Sequence, residues 1–321
     1  MKRIYISSVY RTQDGQSGGS PIAMVDWETK EVLSNQEGIP QEIIRPIKGV
    51  SKSYGTRGLA WFKDRLWIAG GVSGLIEINP DTYQVIKIHT PEEIAHPHLI
   101  KVHDGLLYVT STSRDSLVSF DGSKVIEEKK IKDMPGIPEL IEPYLPDVHK
   151  TKAWGRDKLH FNSVDWDSEG NEYHTYMHCR SIFNVTKKCV VETGLSAGHD
   201  LEIQNNRLYY SSSGDRSLFS LNLNHQPPKR TCWIKKEIPE AELDARKQYA
   251  EEGKKSEFPF MALVRGIAIT PDNSKLFLGV APGNLICLDL KQRGRQIGEM
   301  KYCNAKAEQP FDILLDPRDW N

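Results

Sequence analysis

Leu159-His160-Phe161-Asn162-Ser163-Val164-Asp165-Trp166-Asp167-Ser168-Glu169-Gly170 opens on a polar pair, His160 and Asn162, followed by a short apolar strand and an acidic turn. A second strand follows, and the same order recurs four more times. Thr56-Arg57-Gly58-Leu59-Ala60-Trp61 runs through Lys63-Asp64-Arg65 into Leu66-Trp67-Ile68-Ala69. Pro97-His98-Leu99-Ile100-Lys101-Val102 runs through His103-Asp104-Gly105 into Leu106-Leu107-Tyr108-Val109. Gly198-His199-Asp200-Leu201-Glu202-Ile203 runs through Gln204-Asn205-Asn206 into Leu208-Tyr209-Tyr210, and Val264-Arg265-Gly266-Ile267-Ala268-Ile269 runs through Pro271-Asp272-Asn273 into Leu276-Phe277-Leu278.

The openers Arg57, His98, His160, His199 and Arg265 are separated by 41, 62, 39 and 66 residues. Two of these gaps are near 40, and the two long ones hold insertions. A repeat of that length signals a solenoid or a propeller. Behind each opener the spacing predicts further short strands, among them Leu106–Thr110, Ser116–Phe120, Glu172–Met177 and Ser217–Leu221. They are rich in aromatic and β-branched residues and bounded by Gly, Asp or Asn, which suits antiparallel strands. Four strands in about 40 residues is the blade of a β-propeller.

The chain begins inside a blade, with Arg3–Val9 as a second strand and Pro21–Asp26 as a third. Gln309-Pro310-Phe311-Asp312-Ile313-Leu314-Leu315 supplies the missing first strand from the C-terminus. The expectation is an all-β, six-bladed β-propeller of four-stranded antiparallel blades, the sixth shared between the termini, as one domain over residues 1–321. Such closure leaves no exposed sheet edge. The insertions at 11–20, 38–55, 128–158 and 224–262 all fall on connections that emerge on one face by strand parity. Those at 128–158 and 224–262 are expected to form a lid over the channel mouth. Helices are expected at Pro239–Gly253, which has Pro at its start and Gly at its end, and at Pro138–Tyr144.

Composition narrows the function classes. The 321 residues carry a net charge of −1, which gives no basic field for nucleic acid. No apolar run is long enough to span a membrane, and the N-terminus reads as a strand and not a signal peptide. Five cysteines without CxxC spacing read as free thiols in a reducing, cytoplasmic compartment. Walker, GxGxxG, GxSxG and HExxH motifs are absent.

The strand openers should converge on the channel axis at the face that carries the long loops. His98, His160 and His199 are then candidate ligands of a divalent transition metal such as Zn, Fe or Mn, leaving open positions for water and substrate. His178, at the end of a second strand, is a candidate fourth ligand or general base. Asp200 is a candidate catalytic residue that orients a ligand ring, or else a residue that ties its blade to the neighbouring one. Arg57 and Arg265 are placed to grip a small anionic substrate, with Asn162 beside them. Trp154 and Trp233 lie in insertions and are candidate lid contacts. His96 is an alternative to His98 as ligand. Arg114, Arg180 and Arg216 read as blade structure.

Leu159-His160-Phe161-Asn162-Ser163, with Tyr176-Met177-His178, Gly198-His199-Asp200 and Tyr209-Tyr210-Ser211-Ser212-Ser213, resembles bacterial six-bladed propellers with a Leu-His-x-Asn-Ser signature. The resemblance covers roughly residues 157–221. More distantly the architecture is similar to gluconolactonase/strictosidine-synthase-like and NHL-type propellers. Gluconolactonase-type enzymes hold their metal with Glu, Asn and Asp, where this chain has His and Arg. Histidine-lined propeller lyases and oxygenases are similar in principle. Two readings follow: a metal-dependent hydrolase or lyase acting on a small anion, and a non-catalytic ligand-binding or protein-interaction propeller. Metal content separates them.

Overall fold

The computed structural model describes residues 1–10, 22–35, 54–70, 74–225, 227–237, 251, 264–303 and 308–320. Its strands begin with β1 (Arg3–Tyr10), β2 (Ile22–Asp26) and β3 (Glu31–Asn35), then β4 (Tyr54–Phe62), β5 (Arg65–Gly70), β6 (Leu75–Ile78) and β7 (Val85–His89). Four antiparallel four-stranded sheets follow. The first holds β8 (Pro97–His103), β9 (Leu106–Ser111), β10 (Ser116–Phe120) and β11 (Val125–Lys130). The next holds β12 (Phe161–Trp166), β13 (Glu172–Tyr176), β14 (Ser181–Asn184) and β15 (Cys189–Thr193). Then come β16 (Gly198–Gln204), β17 (Arg207–Ser212), β18 (Ser217–Asn222) and β19 (Lys229–Lys235), and β20 (Val264–Ile269), β21 (Lys275–Val280), β22 (Asn284–Asp289) and β23 (Arg295–Lys301). The last strand, β24 (Glu308–Leu315), pairs antiparallel with β1 from Ile4↔Leu315 to Tyr10↔Glu308. β1 also meets β4 at Val9↔Gly55 and Tyr10↔Tyr54, so β1–β7 and β24 form one eight-stranded sheet.

Turn chemistry joins the first strand of several sheets to the second. Lys63 and Asp64 both have positive φ, 51° and 55°, as do Asn205 and Asn206 at 51° and 55°. Two consecutive left-handed residues make the hairpin turn whose twist matches the strands. The second and third strands are the most buried. Ile68, Val109, Val118, Tyr176, Ile182, Tyr210, Leu218, Phe277 and Leu285 are at or below 1% exposure and fill the spaces between neighbouring sheets. The fourth strands carry the exposed apolar residues, such as Ile86, Ile126 and Ile297.

The first strands form a ring. β4 packs on β8, β8 on β12, β12 on β16, β16 on β20, β20 on β24 and β24 on β4. Each carries a register shift at its opening: at Arg57-Gly58, His98-Leu99, Asn162, Asp200, Gly266 and Phe311. Side chains of one strand accept backbone N–H groups of the next. Ser163 Oγ accepts from Leu201 at 2.7 Å, Asp200 Oδ2 from Gly266 at 2.9 Å and Asp312 Oδ2 from Leu59 at 2.7 Å.

The expected strand beside Arg3–Val9 is therefore present. The expected insertion at 224–262 starts later than the sequence suggested, because Lys229–Lys235 is the fourth strand β19. The expected insertion at 128–158 likewise begins inside β11. The Pro138–Tyr144 helical expectation is met by turns at Ile137–Ile141 and Glu142–Tyr144. The Pro239–Gly253 helix and the 11–20 insertion lie outside the described residues, apart from Glu251. Among the described residues no helix is long and apolar enough to cross a membrane.

Two outcomes follow. The C-terminal segment is tied to β1 by the strand pairing, by Arg3 Nε on Asp319 at 2.6 Å and by Trp320 Nε1 on the Arg3 carbonyl at 2.9 Å. Removing residues 308–321 should cause aggregation or lower the melting temperature by on the order of 10 °C. A soluble truncation with an unchanged melting temperature would contradict the closure.

The second outcome concerns Asp312. Burial, with the charge of Asp200 beside it, pushes its pKa up to about 7. The folded state then holds a proton that the unfolded chain has released, so stability falls as pH rises from the ordinary carboxylate range to about 7. Asp312→Asn keeps an oxygen for the Leu59 N–H and removes the titration. The melting temperature of wild type, measured relative to Asp312→Asn, should decrease between pH of about 4 and about 8. A constant difference would refute the shift.

Candidate functional site

The bulges place six side chains at one level of the inner ring: Arg57, His98, Asn162, His199, Arg265 and Phe311. All are between 3% and 8% exposed. Phe311 lies among the others. Its ring centroid is 5.6 Å from that of His98 and 6.0 Å from that of His199. The guanidinium carbons of Arg57 and Arg265 stand 5.8 Å and 5.3 Å from the same ring. One position deeper, the Lys101 ammonium meets the Glu202 carboxylate and lies 3.7 Å from Asp165. Burial opposes the Lys101 charge, but the two carboxylates outweigh it and hold its pKa above the ordinary lysine value.

A second, more open layer stands on the ring toward the connecting loops. His96 and His160 belong to it. Both have φ of 53°, as does Ala197 two residues before His199, which marks the three as one position of the repeat. His160 therefore corresponds to His96, and Asn162 corresponds to His98 and His199. The sequence-based alignment of His160 with His98 and His199 is corrected by two residues. The outer layer is completed by His178, in the turn after β13, and by Asp157 and His149 from the segment between β11 and β12. Imidazoles run through it in a chain. Ring centroids are 3.6 Å apart for His149–His178, 5.3 Å for His178–His160, 4.8 Å for His160–His98 and 6.3 Å for His98–His199.

Hydrogen bonds fix which nitrogen of each ring is protonated. His160 Nδ1 donates to Asp157 Oδ1 at 2.9 Å, and His178 Nδ1 donates to the Lys158 carbonyl at 3.0 Å. Thr112 donates its one hydroxyl proton to the Phe161 carbonyl at 2.7 Å, so His98 Nδ1 is the donor to Thr112 Oγ1 at 2.6 Å. In all three rings the lone pair is on Nε2. His96 differs: its Nε2 accepts from Arg57 at 2.9 Å, so that lone pair is engaged. Burial, then the Arg57 charge, lowers the His96 pKa to about 2. Burial chiefly lowers His178 to about 4 and His98 well below the ordinary value. Burial alone would raise Asp157, but causes led by the hydrogen bond from His160 outweigh it and hold the carboxylate below its ordinary value.

Asp157, His160 and His178 each bring a ligand atom within 4.8 Å of the others, the one such group of three or more found among the described residues. Their loop is clamped from below. Asp115, 1% exposed, accepts from the backbone N–H of Gly155, Lys158 and Leu159 at 3.0, 3.0 and 2.9 Å. Lys158 Nζ donates to the Lys150 and Lys152 carbonyls at 2.7 and 3.0 Å, holding the His149 turn in place.

Of the residues expected at the site, His160 and His178 meet in this group, and His98 borders it. His199 lies in the buried ring beyond His98. Asp200 accepts from Ser211 at 3.0 Å and from the Gly266 N–H, so it ties two sheets together. Arg57 donates to His96 and to the Pro97 carbonyl at 3.2 Å, and Arg265 to Ser213 at 3.3 Å. Trp154 packs near the clamped loop with Lys158 at 5.2 Å from its ring. Trp233 is not a lid residue. It sits on the outermost strand β19, where its Nε1 donates to Ser220 at 2.7 Å. Arg114, Arg180 and Arg216 are structural, bonded to Glu128, the Leu195 carbonyl and the Glu237 carbonyl. Sequence reading missed Asp157 and His149. The Asp157-x-x-His160 spacing was the available signal for the first.

No family model and no curated protein matches this chain. Among solved structures it is similar to a chain of the nidogen/laminin complex, with TM-score 0.58 at 10% identity over 98% of each chain. A protein from Lactobacillus plantarum gives 0.52 at 14% identity over 99% of this chain and 87% of that one. Virginiamycin B lyase from Staphylococcus aureus gives 0.47 at 14% identity, over 77% and 70%. At such identities the likeness concerns the fold alone. Four-stranded antiparallel sheets set around a ring of first strands are the architecture of a β-propeller.

The clamp yields a prediction. Asp115→Ala leaves three loop N–H groups without their acceptor and should cost on the order of 3 kcal/mol in urea unfolding. Asp115→Asn, which keeps an acceptor oxygen, should cost less. Equal costs for both variants would show that the clamp does not act through these bonds.

Proposed function

We propose that the chain is one six-bladed β-propeller domain, with β24, β1, β2 and β3 as the blade shared between the termini. On this reading the short β1–β4 pairing is a seam between neighbouring blades. We further propose that Asp157, His160 and His178 hold a divalent transition metal, zinc, iron or manganese, at the mouth of the central channel. The observation that carries this is the 4.8 Å donor group. A carbonyl on Nδ1, such as His178 has in Lys158, is a usual support of a metal-binding histidine. Nitrogen and oxygen donors suit these metals, and three protein ligands leave positions open.

A metal there would supply Lewis-acid polarisation of a small anionic molecule. Arg57 and Arg265, at the level below, add two positive charges that favour an anion. The reaction class we assign is hydrolase or lyase. His178, which the sequence offers as a fourth ligand or a general base, is assigned to the metal. The free cysteines fit a cytoplasmic setting.

The test is elemental analysis of untagged protein never exposed to chelator, followed by zinc titration. Wild type should bind about one equivalent, and His160→Ala or His178→Ala should weaken binding at least about tenfold. His199→Ala, outside the donor group, should retain it. Less than about a tenth of an equivalent in wild type, before and after titration, would leave the non-catalytic ligand-binding or protein-interaction reading.

A further inference from the structure

The hydrogen-bond polarity of the buried ring points to the chemistry of the ligand. Asn162 Nδ2 donates to the Gly198 carbonyl at 2.7 Å, which fixes Oδ1 as the other end of the amide. Turning the amide over would set two oxygens against each other. Asn162 is 3% exposed, and its Oδ1 is buried without a hydrogen-bond partner. In ring order Asn162 stands between His98 and His199, whose ring centroids are 6.3 Å apart, and it is shorter than either. His98 has its lone pair on Nε2, because its Nδ1 donates to Thr112. Asn162 and His98 thus present acceptors, and a buried acceptor lacking a donor costs about 1–3 kcal/mol.

We infer that the ligand carries a hydroxyl group that donates to this pair, with Asn162 Oδ1 as its main acceptor, and that the ligand class is a small hydroxy acid. The carboxylate faces the metal group and the two arginines, and the hydroxyl reaches the ring beside His98. The carboxylate half of this assignment rests on the metal-binding reading; the hydroxyl half rests on Asn162 and His98 alone. A site built to pair a ligand hydroxyl rejects the analogue without it, because the buried acceptor is left unpaired.

The experiment titrates the full chain, with and without one equivalent of zinc, against three pairs of acids: glycolate and acetate, lactate and propionate, 3-hydroxybutyrate and butyrate. In at least one pair the hydroxy acid should bind at least about tenfold more tightly. That ratio should collapse to below about twofold in Asn162→Leu, which removes the acceptor oxygen. Melting temperature and zinc stoichiometry show whether the variant is folded, and the wild-type ratios stand without any variant. Equal affinities within every pair, or no binding of any acid in either state, would overturn the inference. So would a preference that survives in Asn162→Leu. A hydroxy-acid preference in a protein that takes up no zinc would overturn only the metal reading.

Discussion

The bulge at the start of each inner strand is the constraint on which the rest depends. A bulge takes backbone groups out of the ladder and turns the local side chain. Here the displaced N–H groups are received by the neighbouring strand: Leu201 by Ser163, Gly266 by Asp200 and Leu59 by Asp312. These contacts join first strands that do not pair with each other in a ladder. They explain why carboxylates are buried at a place with no catalytic geometry. Asp200 and Asp312 sit where a side-chain oxygen is needed, and each is raised in pKa by its burial. The same bulges turn Arg57, His98, Asn162, His199, Arg265 and Phe311 to one level, so ring chemistry and sheet cohesion share one backbone device.

Charge then separates two layers. Buried arginines in the ring and the burial of the rings themselves both disfavour imidazolium, which is why His96 and His98 are held neutral. Neutral imidazoles are acceptors as well as donors. His96 uses that capacity to accept from Arg57, and His98 keeps its Nε2 lone pair beside Asn162. Farther out, Asp157 supplies the negative charge that the ring lacks, and its hydrogen bond orients His160. The outer layer brings two imidazoles and a carboxylate together.

The repeat was legible because strand, turn and strand recur with the same residue types, and the closure was legible in Phe311-Asp312-Ile313. The level of His160 was not. A bulge adds a residue without changing the look of the motif, so Leu-His-Phe-Asn aligned by its histidine although Asn162 is the ring residue. The shared φ of His96, His160 and Ala197 reveals the offset. Trp233 was misread because β19 is polar and exposed, with Lys229, Arg230 and Thr231 giving no strand-like alternation of burial. Asp157 and His149 come from the insertion, where no repeat exists to align them.

That insertion explains why the group of Asp157, His160 and His178 lies off the ring's symmetry. Asp157 and His160 both hold left-handed backbone, at φ of 56° and 53°, a conformation unfavourable for residues with a side chain. Left alone, a loop with two such residues would relax and separate the donors. Asp115 prevents this by accepting three consecutive-region N–H groups from beneath, between and beside the two strained positions. Asp115 itself has φ of 50°, the same position in its turn as Arg180 at 54° and Arg216 at 55°. In the sheets of β12–β15 and β16–β19 that position is filled by an arginine that donates to a backbone carbonyl of the following segment. Here an aspartate accepts instead. Exchanging a donor for an acceptor at one repeated position turns the next connection from one held by its carbonyl into one held by its N–H groups. That reversal fixes Gly155, Lys158 and Leu159, and with them the placing of Asp157 and His160 near His178.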